Sequence, residues 1–214
     1  MRSTHTMRYL SFFAVVALLV LSTPDTATAA RNEWGVTFSY NTATPVGRTG
    51  EYVDRFSWAG FGGHITYNID DHNRLGLSSG FQRFDVFYRD RLATYPGGAV
   101  FGSQVRAVVA VPLLATATHM MGDPIDKVRP FIGLGAGVYW MTPSLEIGLY
   151  RFAETTAHFG LRPTFGAEFK LDRKSSFVVQ LDYNAAFSSG ETILGGSTNE
   201  ESFIGLKFGF HFGR

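Results

Sequence analysis

Between Ala157 and Leu171 the chain reads AHFGLRPTFGAEFKL. From Phe159 onward every odd position is apolar (Phe159, Leu161, Pro163, Phe165, Ala167, Phe169, Leu171), while Arg162, Thr164, Glu168 and Lys170 fall on even ones. A period of two over this length describes a β-strand with one apolar and one charged face. In a soluble sheet the apolar face needs a second layer packed on it. The chain repeats the pattern with almost no helical segment to supply that layer, so the spacing predicts strands whose apolar face meets a lipid bilayer.

The N-terminus predicts export. Arg2 and Arg8 precede an apolar run from Tyr9 to Leu21, and Ala27, Thr28 and Ala29 form a small-residue cleavage site, the pattern of a cleaved signal peptide over residues 1–29. That run is 13 residues, short of the roughly 20 that span hydrocarbon as a helix. Residues 30–214 are then read as one domain. Cleavage removes Arg2 and Arg8 from 19 basic side chains and Asp25 from 18 acidic ones, leaving 17 of each. A neutral chain without a basic run argues against nucleic acid as a partner. With no cysteine there are no disulfides and no thiolate metal sites.

Eight alternating segments follow. In the first, Trp34, Val36, Phe38 and Tyr40 oppose Gly35, Thr37, Ser39 and Asn41; in the second, Ala59, Phe61, Ile65, Tyr67 and Ile69 oppose His64, Thr66 and Asn68. Leu75, Leu77 and Phe81 oppose Arg74, Gly76, Gly80 and Gln82 in the third, and Phe101, Val105, Ala107 and Val109 oppose Gly102, Gln104 and Arg106 in the fourth, 99–119. Pro112, which lacks a ladder donor, predicts a bulge there that shifts the facing of Leu113 and Leu114. The fifth, Val128 to Trp140, sets Ile132, Leu134, Ala136, Val138 and Trp140 against Phe131, Gly133, Gly135, Gly137 and Tyr139. The sixth is the segment above. In the seventh, Phe177, Val179, Leu181, Tyr183, Ala185 and Phe187 face away from Gln180, Asp182 and Asn184; in the last, Ile204, Leu206, Phe208, Phe210 and Phe212 oppose Gly205, Lys207, Gly209 and His211.

Connections near 70–73, 121–127 and 172–175 are short, whereas 42–55, 88–98, 141–156 and 188–201 are longer. This asymmetry predicts an all-β fold, an eight-stranded antiparallel up-and-down transmembrane barrel with both termini at the short-turn end. Trp34, Phe38, Ile65, Leu77, Val105, Leu134, Leu161, Phe165, Leu181, Leu206 and Phe210 are expected to face lipid. His64, Gln82, Gln104, Arg106, Arg162, Glu168, Gln180, Asp182 and Lys207 are expected to form a closed polar core. A basic residue turned to lipid at mid-depth costs about 2–4 kcal/mol, so the charges must point inward. Eight strands leave a lumen just filled by side chains, and pairs between Arg162 or Lys207 and Glu168 or Asp182 satisfy the buried charges. Gly133, Gly135 and Gly137 on the inner face leave room for bulky groups from across the lumen.

The hairpin VAVPLLATATH (Val109 to His119) followed by PFIGLGAGVYW (Pro130 to Trp140), together with the aromatic last strand FIGLKFGFHFGR (Phe203 to Arg214), resembles the small outer-membrane β-barrel superfamily of OmpA-, OmpX-, OmpW- and opacity-type surface proteins. Members commonly end on an aromatic read by the barrel insertion machinery; here Gly213 and Arg214 follow Phe212. The resemblance implies an outer-membrane location in contact with lipid and lipopolysaccharide, and leaves activity open. Two lipid A modifying classes use such barrels. The deacylase type implies a His-x-Ser pair on one strand, which is absent, His64 and Thr66 being the nearest arrangement. The palmitoyltransferase type implies a helix ahead of the first strand, for which only Ala30 to Glu33 remain. His72, His119, His158 and His211 are scattered, none paired at metal-ligand spacing, and His158 with Glu154 is the least implausible catalytic pair. The expectation is therefore a non-enzymatic outer-membrane protein without cofactor or metal, structural or acting on a surface partner through loops 42–55, 88–98, 141–156 and 188–201. Tyr52, Tyr88 and Tyr95 sit among those loops. The alternatives are a narrow conduit for small hydrophobic solutes and a lipid A modifying enzyme.

Overall fold

A computed structural model describes residues 33–95, 98–148, 150–187 and 201–213. The predicted signal peptide, 1–29, and most of the 188–201 connection lie outside the described residues. The strands are β1 (Trp34–Val46), β2 (Ser57–Asn68), β3 (Asn73–Tyr95), β4 (Gly98–Met120), β5 (Val128–Ile147), β6 (Tyr150–Ala153), β7 (Thr156–Lys170), β8 (Ser175–Phe187) and β9 (Glu201–Gly213), with a six-residue helix α1 (Gly47–Tyr52) between β1 and β2. Hydrogen-bonded neighbours run β4-β3-β2-β1-β9-β8-β7-β5, and β4 pairs with β5 to close the ring. All pairings are antiparallel. The eight long strands form a closed barrel; β6 is a short addition to the far end of β5, taking over that edge where β7 stops.

Alternation dictates this closure. An open sheet of these strands would leave two edges of unpaired backbone groups, and ring closure removes both. Chemistry at the turns fixes where each strand reverses. The Asp70 carboxylate accepts hydrogen bonds from the backbone N–H of His72 (2.7 Å) and Asn73 (2.6 Å) and from the Asn73 side chain (2.8 Å), an aspartate mimic of a backbone turn. At the β4–β5 turn Gly122 adopts φ +80°, which a side chain would strain.

Three expectations fail. Pro112 causes no bulge: the β4–β5 register runs unbroken from Gln104↔Ile147 to Met120↔Phe131, and Leu113 points outward while Leu114 is fully buried. The missing donor is absorbed as a local gap in the β3–β4 ladder, where pairing resumes in the same register on either side. The register shift in that ladder lies instead between Tyr88 and Arg91, within a segment read from sequence as loop. The connections 88–98 and 141–156 are largely strand. β3 and β4 have 23 residues each, roughly 75 Å at about 3.3 Å per residue, far beyond what a tilted strand needs to cross an apolar band about 25 Å tall. The apolar residues of this stretch explain the extension, because Leu92 and Phe101 are cross-strand partners, a pairing that stabilises a ribbon and not a coil. The first long connection also differs, folding as α1.

Candidate functional site: the barrel lumen and its mouth

The outer face carries exposed apolar side chains in a belt: Trp34 is 67% and Phe38 64% exposed, and Ile65, Leu77, Phe165, Leu181, Leu206 and Phe210 are also exposed. Val105, Leu134 and Leu161 share that face, half-buried between larger neighbours.

Inside, the lumen is tiered along its axis. At the short-turn end Arg74 Nη1 donates to Glu168 Oε2 at 2.6 Å, Arg129 donates to the Asp71 carbonyl, and His211 Nδ1 meets Thr37 Oγ1 at 2.9 Å. In the middle Lys207 Nζ lies 3.3 Å from Asp182 Oδ1. The other Asp182 oxygen accepts from Asn184, whose Oδ1 accepts from the Tyr139 hydroxyl at 2.9 Å. Arg162 Nη2 donates to Ser78 Oγ at 2.8 Å, and His64 Nε2 lies 2.8 Å from Thr116 Oγ1. A cavity of about 30 Å³ opens among Thr37, Ser39, His64, Ser78, Arg162 and Lys207, with Gln180 on its wall.

Towards the long-loop end the lumen becomes apolar. Ala43, Val53, Phe84, Val108, Ala110, Leu114, Tyr139, Met141, Ala186 and Phe203 form one buried cluster, with the Phe84 and Phe203 rings 5.4 Å apart, edge to face. Phe84 and Leu114 have the inward parity of Gln82 and Thr116. The expectation of a polar core is thus corrected in part: above the ion-paired tier a band of inward positions is hydrocarbon, while Gln82, Gln104 and Glu201 are buried at the same end.

The pairing of the charges differs from expectation as well. Glu168 takes Arg74, not Arg162 or Lys207, because Arg74 shares the inward parity two residues past the turn, and that parity is the signal that identifies it. Arg129 was missed for a similar reason, lying at the very start of β5. Arg106 stands apart from the charged tier. Its guanidinium sits 5.4 Å from the Tyr52 ring centroid and 5.3 Å from that of Tyr88, and Nη2 donates to Gln104 at 3.3 Å. Two flanking aromatic faces stabilise a cation where no carboxylate is required. Gln82 donates to Ser57 Oγ at 2.9 Å.

The first connection seals this mouth. Val53 is fully buried in the apolar cluster, the Tyr52 hydroxyl donates to the Ser144 carbonyl at 3.0 Å, and the Ser202 N–H donates to Thr49 Oγ1 at 3.1 Å. Burial pushes the Tyr52 phenol up to about 12, against the opposing pull of Arg106 and with a smaller contribution from Glu201.

The inner-face glycines make room, but for the neighbouring strands. A Cβ on Gly137 would strike the Leu113 carbonyl, and one on Gly135 would press on Leu114 at 3.3 Å. Gly160 and Gly166 on β7 do the same for the Tyr139 and Phe131 rings, each 2.5 Å from a built Cβ.

Neither candidate histidine pair is joined by a hydrogen bond among the described residues. His158 is buried and bonds to Thr156 Oγ1 at 2.7 Å, whereas Glu154 is exposed. Thr66 Oγ1 has no partner among the described residues, so His64 and Thr66 do not act as a pair. His72 and His119 do come together, contrary to the scattered placement expected, with rings stacked at 6.1 Å at the short-turn end. Among the described residues no group of three or more histidine, aspartate or glutamate side chains is placed to hold a metal ion.

A closed eight-stranded barrel with an apolar exterior and a filled lumen is the fold of the small outer-membrane β-barrels. Among solved structures, the outer membrane protein OprG from Pseudomonas aeruginosa aligns with TM-score 0.52 and 12% identity, covering 86% of this chain and 97% of that one. Neisserial surface protein A aligns with TM-score 0.50 and 13% identity, covering 86% and 99%. At these identities the likeness is one of fold. No family model matches the chain, and no curated protein is similar to it in sequence.

Proposed function

We propose that the protein is a non-enzymatic integral outer-membrane protein, made as a precursor with a cleaved leader, whose closed barrel presents the long-loop end to the cell exterior and acts there as a structural or surface-contact element. The observation that carries this reading is the pairing of an exposed apolar belt with a lumen filled along its axis. Exposed aromatics such as Trp34 and Phe38 are costly in water and stable in acyl chains. Phe84, Leu114, Tyr139 and Phe203 lie above the ion-paired tier, and the cavity beside Arg162 holds about two waters. The β3–β4 ribbon, with Phe87, Leu92 and Phe101 exposed, is the surface best suited to meet a partner molecule.

Two measurements test this reading. The protein should fractionate with outer membrane and migrate faster unboiled than boiled; recovery as a soluble periplasmic protein without that shift overturns it. In liposomes it should give neither swelling nor single-channel current, and steady conductance would instead favour a conduit. An unchanged lipid A mass spectrum on overexpression is expected of a protein without lipid A modifying activity.

A further inference from the structure

We propose that the middle tier of the lumen binds one small monovalent anion, of the halide class, between the Arg162 guanidinium and the Lys207 ammonium. The charge pattern of the tier motivates it. Of the inward cations there, Lys207 is matched by Asp182. Arg162, only 4% exposed, has no carboxylate partner among the described residues; it donates to the neutral Ser78 hydroxyl, and its Nε has no acceptor. A buried cation left without a counter-charge is strongly disfavoured, so this position calls for one negative charge.

Space and donors at the same point fit that charge. The cavity beside Arg162 is also lined by Lys207 and by the hydroxyls of Thr37, Ser39 and Ser78, all of them able to donate to an anion. Arg162, Lys207 and Arg74 lie within electrostatic reach of His64 on the cavity wall; Asp182 and Glu168 balance the last two, which leaves the Arg162 charge uncompensated in a low-dielectric interior. At about 30 Å³ the cavity holds the equivalent of about two waters, which suits a halide better than a tetrahedral oxyanion or an organic acid. An excess of one positive charge calls for a monovalent ion.

The test uses the full barrel refolded in detergent micelles in sodium gluconate, with chloride or bromide exchanged for gluconate at constant ionic strength. Unfolding is followed as loss of the fast-migrating unboiled band. The expected result is a saturable rise in the midpoint, roughly 5–10 °C at a hundredfold over half-saturation, absent in Arg162→Gln and retained in Arg173→Gln, whose side chain is in an exposed turn. An equal response to gluconate and halide, or an undiminished shift in Arg162→Gln, overturns the proposal. Should Arg162→Gln fail to fold, crystals of the unaltered protein grown in bromide decide: an anomalous peak between Arg162 and Lys207 supports the site, and its absence refutes it. Channel conductance would contradict the closed-lumen reading and leave this site standing, so the two fail separately.

Discussion

The two halves of the lumen solve one problem by different chemistry. From the short turns to mid-barrel, inward positions hold Arg74, Glu168, Lys207 and Asp182, joined in ion pairs; in the band above, the same inward parity holds Phe84, Leu114, Met141 and Phe203, packed against one another. Strand geometry is common to both, so the difference lies in side chains alone. In a paired polar tier each group depends on a particular partner, because a buried charge or hydroxyl left over is penalised heavily. In the hydrocarbon tier, loss scales with volume and any neighbour can partly fill in. The polar half is therefore specific and brittle, while the apolar half seals the mouth.

The largest expected effect breaks the polar half. Asp182→Leu strands Lys207 and removes the acceptor for Asn184, and should destabilise the barrel by about 3–5 kcal/mol. Adding Lys207→Met should recover most of that loss, since replacing both members of a buried pair by apolar groups is often neutral. Denaturant unfolding in micelles measures both; absence of recovery would show that the pair is not the unit of stability. In the apolar half, Leu114→Ala should cost about 3 kcal/mol by the same assay, and no single second substitution should rescue it by charge matching.

Much of this contrast is legible in sequence, and the reason is the period of two. Parity alone places Arg162, Asp182 and Lys207 inward, and Trp34 and Phe210 outward. It is blind to height along the axis, so Phe84 and Arg74 look equivalent although they belong to different tiers. Partner choice is equally hidden. Glu168 meets Arg74 because β7 and β3 face each other across a closed ring, a relation set by ring closure and not by spacing along the chain. The extension of β3 was hidden by Asp90 and Arg91, which read as loop chemistry. A two-stranded ribbon accepts such residues once Leu92 and Phe101 pair across it. Pro112 misled in the opposite direction, since one absent donor is tolerated when the flanking ladder on both sides keeps its register.

A smaller effect probes how closely the strands approach at the boundary between the halves. Gly160→Ala brings a methyl group against the Tyr139 ring, whose hydroxyl anchors Asn184 and through it Asp182. The ring cannot retreat without loosening that hydrogen bond, so a loss of about 1–3 kcal/mol is expected. Tyr139→Phe in the Gly160→Ala background should then cost less than Tyr139→Phe alone, because the bond is already weakened. A strictly additive pair would uncouple the apolar seal from the ion-paired tier.

The smallest effect lies outside both halves, at the β2–β3 turn. Partial burial of the Asp70 carboxyl raises its pKa, but hydrogen bonds from the Asn73 side chain and from the His72 and Asn73 backbone, with the nearby His72, outweigh it and hold the group below the ordinary aspartate value. A carboxyl with a depressed folded-state pKa contributes stability that is complete above its unfolded value, near 3.9, and is lost as the pH falls through the folded value. Asp70→Ala should therefore cost about 1 kcal/mol at neutral pH, and the difference from the unaltered barrel should shrink below about pH 4. Asp70→Asn, which keeps one acceptor oxygen without the charge, should fall between the two and lose the acid dependence. Unfolding midpoints at pH 3 and pH 7 measure this, and a gap between Asp70→Ala and the unaltered protein that stays constant across that range would show that the turn is held by backbone geometry alone.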